Sequence, residues 1–152
     1  MITKNKQSGF TLLEILLVVA AIGILAAIVI VAINPTKQLG QTKNAQRRAD
    51  VNTIINGVYQ YAIDHAGTVP VGITVTSTEI CQTDVATATC TELNLVDLQV
   101  VTANETYLTR LPVDPTNTAT AGTNYFISKS ANGRITVSAP NAEQDETIVV
   151  TK

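Results

Sequence analysis

The only ionisable side chain set directly against the longest apolar run of this chain is Glu14. It precedes Ile15 to Ile33, a stretch without a polar side chain. A charge there costs on the order of 2.5 to 3.5 kcal/mol at a bilayer centre and less toward the interface. Such a group either rests in the headgroup region or needs a cation. A cut between Gly9 and Phe10 would supply one, because the new α-amino group would stand four residues from Glu14 near the same helix end. The amine of a neighbouring copy would serve equally well. Between packed helices shielded from water the pairing offsets desolvation and fixes one axial register, since a slipped register leaves a charge uncompensated at about 3 to 5 kcal/mol. The chemistry on offer is charge pairing that directs assembly.

Other reactive side chains are few. The 152 residues include one histidine, two cysteines and no tryptophan, so a four-ligand zinc site would have to borrow carboxylates. There is no phosphate loop and no Ser/His/Asp or Cys/His spacing, so no catalytic residue, metal site or cofactor is expected, and an exported enzyme is the least favoured class. Ten basic against twelve acidic residues give a net charge of -2. That leaves no basic field for a phosphate backbone, and no nucleic-acid site is expected. His65 falls near a helix end, where an imidazolium suits the dipole, and is assigned no chemistry.

The elements that position Glu14 follow from hydropathy. Residues 15–33 span roughly 28 Å as a helix, close to the hydrocarbon thickness of a bilayer. A helix apolar on every face needs a large protein or a membrane around it, and the remaining chain is too small for the first. Lys4 and Lys6 favour a cytoplasmic N-terminus, against Lys37, Lys43, Arg47 and Arg48 on the far flank. An ordinary signal peptide has a shorter apolar region and a small-x-small cleavage site, whereas Asn34-Pro35 follows here. That pair acts as N-cap and first helical residue or kinks one continuous helix. Beyond it Leu39, Ala45, Ala49, Ile54, Ile55, Val58, Tyr61 and Ala62 form an apolar stripe ending at Gly67. Tyr125 to Lys129 and Arg134 to Ala139 read as strands of a hairpin through Asn132-Gly133, with Ile135, Val137 and Ala139 on one face. Thr147 to Thr151 reads as a third strand, Val69 to Thr76 as an extended piece, Glu92 to Val100 as a short helix, and Thr116 to Asn124 as a surface loop.

Lys4 and Lys6 in a short polar leader, then Gly9-Phe10-Thr11-Leu12-Leu13-Glu14 and the apolar helix, resemble the type IV pilin family, including the pseudopilins of type II secretion systems. The resemblance implies that Gly9 precedes a prepilin peptidase cut, that Phe10 becomes the N-methylated terminus, and that Glu14 is its acidic partner. It implies an α+β, pilin-like fold: a long N-terminal α-helix, membrane-spanning in its first half, packed by its second half on a small antiparallel β-sheet. The expected organisation is a leader at 1–9, a transmembrane and filament-core helix at 10–33, its amphipathic continuation at 34–67, and a globular region at 68–152. Cys81 and Cys90 then lie on the exported side, enclosing a ten-residue loop. A disulfide there would contribute roughly 2.5 to 3 kcal/mol, with two free thiols the alternative. Leu111-Pro112-Val113-Asp114-Pro115 resembles the loop before the sheet in major pseudopilins, where acidic and carbonyl oxygens hold calcium, but lacks the aromatic residue after the second proline. A proline-rigidified turn is the favoured reading of Asp114.

The expected function is that of a structural subunit of a type IV pilus-like filament, held in the bacterial inner membrane as a single-pass protein and then carried into a cell-surface filament. Its partners would be copies of itself, prepilin peptidase, a pilus or secretion assembly platform, and membrane lipid before assembly. A pseudopilin and a single-pass anchored binding domain outside the cytoplasm are the alternatives.

Overall fold

A computed structural model describes residues 9–152, so the leader lysines Lys4 and Lys6 lie outside the described residues. The chain divides into two units, Met1–Gln38 and Leu39–Lys152.

In the first unit, helix α1 covers Leu12–Ile33 and buries none of its residues. Thr11 caps it, its hydroxyl accepting the Glu14 N–H at 3.3 Å. Asn34 ends it in the left-handed region (φ 47°, ψ 74°). The same asparagine opens the next helix, α2 (Pro35–Asp64), because its Oδ1 accepts the Lys37 N–H at 3.2 Å. Pro35 sits at the first helical position, where its missing N–H costs nothing. The helix therefore resumes as expected, but through one left-handed residue rather than as a continuous rod.

In the second unit α2 buries Gly40, Asn44, Arg47, Val51, Ile54, Ile55, Gly57, Val58 and Ala62. The expected stripe is correct from Ile54 onward and wrong before residue 50: Leu39, Ala45 and Ala49 are exposed. Stepping back from Val51 by three and four residues reaches Arg47, Asn44 and Gly40, so the small apolar residues lie on another face. The helix ends at Asp64, followed by left-handed Ala66 and Gly67, and the Gly67 N–H returns to the Ala62 carbonyl at 2.7 Å.

Four strands, β1 (Thr78–Cys81), β2 (Gly122–Lys129), β3 (Ile135–Ala139) and β4 (Ile148–Thr151), form one antiparallel sheet in the order β1-β2-β3-β4. Ile80, Tyr125, Ile127, Ile135, Val137 and Ile148 join Val51, Ile54, Ile55 and Val58 in one core. The β2–β3 hairpin closes through Ser130 to Gly133, with the Gly133 N–H on the Ser130 carbonyl at 2.9 Å and Gly133 at φ 85°. Only the glycine needs the left-handed region, so Asn132-Gly133 marks the turn without forming the two-residue type.

Three expectations need correction. Residues 69–76 are not one extended piece: Gly72 at φ 101° turns the chain, and the Thr74 carbonyl accepts the Lys129 N–H of β2 at 2.7 Å. The helix expected over 92–100 is displaced into two short ones, α3 (Thr87–Glu92) and α4 (Gln99–Thr102). Left-handed Asn94 interrupts the path, and Val96 and Leu98 point inward with the period of a strand. The loop expected over 116–124 gives way to β2 at Gly122, where buried Thr123 donates its hydroxyl to the Ile80 carbonyl at 2.9 Å.

Candidate functional site

The residues for which the sequence suggests charge pairing, Phe10 and Glu14, lie at the start of α1. Phe10 is 80% exposed ahead of the helix, and Glu14 falls in its first turn. A carboxylate there complements the positive helix end. Apart from Glu14, every one of the 22 residues of α1 is apolar. Leu12, Leu13, Ile15, Leu16 and Leu17 are all exposed, so the acidic group stands on a rod whose whole surface lacks a protein partner. The helix is long and apolar enough to cross a membrane, by length and composition. Among the described residues no salt bridge involves Glu14.

The second unit has its own polar centre. Arg47 reaches Asp114 through Nε to Oδ2 at 2.6 Å and Nη2 to Oδ1 at 3.1 Å, with both side chains fully buried. Asp114 Oδ1 also accepts the Thr116 N–H at 2.8 Å and the Thr116 hydroxyl at 2.6 Å. Burial works to raise the Asp114 pKa, but the bonds from Arg47 and Thr116 outweigh it and hold the group below the usual carboxylate range. The Asp114 oxygens are thus engaged by a guanidinium and a turn, and no group of three metal-ligating side chains occurs among the described residues. Arg47 Nη1 further donates to Asn44 Oδ1 at 2.9 Å, and Asn44 holds the 143–146 turn by accepting the Glu143 N–H (2.9 Å) and donating to the Glu143 carbonyl (2.7 Å). One helical turn on, buried Tyr125 donates to Asp50 Oδ2 at 2.7 Å. Burial raises the Asp50 pKa, partly offset by that bond. Burial and Asp50 also push the Tyr125 hydroxyl up.

Sequence reasoning missed this network, although the helical spacing of Asn44 and Arg47 ahead of Val51 carried the signal. Cys81 and Cys90 are joined (Cα–Cα 5.8 Å), tying β1 to α3. His65 Nδ1 lies 2.8 Å from the Tyr61 carbonyl, its ring stacked on Tyr61 at 3.9 Å.

A long apolar N-terminal helix ahead of a small α+β unit with an antiparallel four-stranded sheet is a pilin-like arrangement. Residues 4–30 match the prokaryotic N-terminal methylation motif, the signature of type IV pilins and pseudopilins. No curated protein and no solved structure matches the chain.

Proposed function

We propose that this chain is the precursor of a structural subunit of a type IV pilus-like filament. Prepilin peptidase cuts between Gly9 and Phe10, the Phe10 amine is N-methylated, and the mature chain waits in the inner membrane with residues 39–152 outside the cytoplasm. The observation that carries this reading is Glu14 in the first turn of a helix otherwise apolar on every side. On assembly the helices exchange lipid for one another, with Ala20, Ala21, Gly23, Ala26 and Ala27 permitting close approach. Glu14 then meets a Phe10 amine and sets the register. Filament formation would lean on an assembly platform, and no chemistry on a small substrate is assigned.

Mass spectrometry of the mature N-terminus tests the processing step: N-methyl-phenylalanine at residue 10 is expected. A chain still beginning at Met1 overturns the proposal, and a cut near Asn34 would make the segment a signal peptide. Glu14→Ala tests assembly. Filament loss with normal membrane insertion is expected, whereas unchanged behaviour would make the chain a single-pass anchored binding domain.

The pseudopilin reading draws on Leu111 to Pro115, but Asp114 in that string is engaged by Arg47, which favours the pilus. Electron micrographs of shed filaments containing this chain would support the pilus, since a short periplasmic pseudopilus is not ordinarily shed.

A further inference from the structure

The two edges of the sheet differ. Beyond β1 the chain covers its own edge: Val96 bridges Ile80, accepting the Cys81 N–H at 2.9 Å and donating to the Glu79 carbonyl at 2.8 Å. At the other end β4 is open. Ile135 and Lys152 exchange both backbone hydrogen bonds at 3.0 Å, and Val137 and Ala139 face Val150 and Ile148. By the alternation of an antiparallel ladder, Ile148, Val150 and Lys152 turn their backbone groups toward β3, and Val149 and Thr151 turn theirs outward. Among the described residues those outward groups have no backbone partner. The strand is Ile-Val-Val-Thr, with Val149 48% exposed and no proline or inward-pointing charge to blunt it. An edge of this kind is a template for another strand.

We propose that the outer edge of β4 pairs antiparallel with β4 of a second copy of this chain, in the register that sets Val149 opposite Val149. The occupant follows from the fold: Val96 blocks the β1 edge, so the edge strand a second copy has free is its own β4. The register follows from charge and hydropathy. With Val149 on the two-fold axis, Ile148 stands opposite Val150, Thr147 opposite Thr151, and Glu146 opposite Lys152 at both ends. A shift of one residue along the strand would turn ladder groups away from each other, and a shift of two would lose the end charges. Both end charges remain able to pair. Glu146 receives Arg48 and Asn44 on Oε2, which leaves Oε1, and among the described residues Lys152 Nζ donates to the neutral Asn56 Oδ1, at 2.6 Å, and joins no salt bridge. The contact is isologous, so it closes after two copies. Subunits of one polar filament all point the same way, and the pairing therefore joins two filaments or two unassembled subunits.

The test uses the full chain in detergent with Val149→Cys, which adds the one free thiol because both native cysteines are bonded. A residue on a two-fold axis meets its own copy, so mild oxidation should give a disulfide-linked dimer faster than in an Asn132→Cys control on the exposed β2–β3 turn. Adding Lys152→Glu sets like charges at both ends and should slow the cross-link about three- to tenfold. In otherwise native chain, Val149→Pro removes an outward N–H while sparing the ladder to β3, and should lower the dimer fraction measured by sedimentation with the sheet's circular dichroism retained. Cross-linking no faster than the control, or insensitive to Lys152→Glu, overturns the proposal. So does a dimer fraction unchanged by Val149→Pro.

Discussion

Arg47 on α2 and Asp114 in the turn before β2 form a two-point ion pair with neither side chain exposed. The pair ties the helix to a segment 67 residues away and, through Asn44, to the 143–146 turn. Its planar fork is suited to a carboxylate in a way an ammonium is not.

Arg47→Ala should therefore destabilise the globular unit by about 3 to 5 kcal/mol, because it strands a buried carboxylate. The double change Arg47→Met with Asp114→Leu should recover most of that loss, since a well-packed apolar pair avoids desolvation altogether. Arg47→Lys should fall between the two. Urea unfolding of the full chain in detergent reads all three, and a single-variant loss below about 1 kcal/mol would mean that water reaches Asp114.

The acid limb of stability should carry two opposed contributions. The depressed Asp114 stabilises fully above the unfolded carboxylate value of about 3.9, and that contribution is lost as pH falls through its lower folded pKa. Asp50 is raised, so its contribution is greatest below about 3.9 and declines as pH rises through the folded value. Asp50→Asn keeps an acceptor for the Tyr125 hydroxyl and removes the buried charge. Relative to native protein it should gain stability toward neutral pH and lose that advantage near pH 4, read as the difference between two melting-temperature profiles. Parallel profiles would contradict the assignment.

Much of the architecture was legible because one periodicity dominated each segment: the unbroken apolar run of α1, the stripe from Ile54 to Ala62, and the strict alternation of Ile135, Val137 and Ala139. The polar extension of the α2 face was hidden because Arg47 reads as a solvated charge until Asp114 is known to lie against it. The segment from Val69 to Val100 was obscure for a different reason. Its path depends on left-handed Asn94, the disulfide and the Val96 bridge, none of which leaves a periodic trace. At the candidate assembly site the residue types were explicit, because a lone carboxylate beside an apolar rod either rests in the headgroup region or needs a cation.

Gly57 brings α2 close against α4 and the chain that follows it. A Cβ built there would lie 2.8 Å from Leu108 Cδ1 and Cγ and 3.1 Å from Val101 Cγ1. Gly57→Ala gains up to about 1 kcal/mol in helix propensity, but overpacking typically costs about 1 to 3 kcal/mol. Net destabilisation is expected, and Gly57→Ala with Leu108→Ala should relieve the clash. A stabilised single variant would show that Leu108 moves aside freely.

The disulfide should act on one edge of the sheet more than on the core. It closes a loop between residues nine apart, for which the chain-entropy account gives about 2.5 to 3 kcal/mol. That loop carries α3 and leads to Val96, whose two hydrogen bonds cover β1. In Cys81→Ala with Cys90→Ala the released segment should open locally before the sheet unfolds, because Val51, Ile54, Ile127 and Val137 keep their packing. Hydrogen exchange should then show lost protection at the Cys81-position and Val96 amides, with protection retained in β2 and β3. The uncovered β1 edge would become a second template for strand pairing beside that of β4, so the variant should self-associate beyond dimers, and adding Val149→Pro, which leaves only the β1 edge, should cut the assemblies back to dimers. Equal loss of protection across all four strands would instead make the bridge a brace of the whole core.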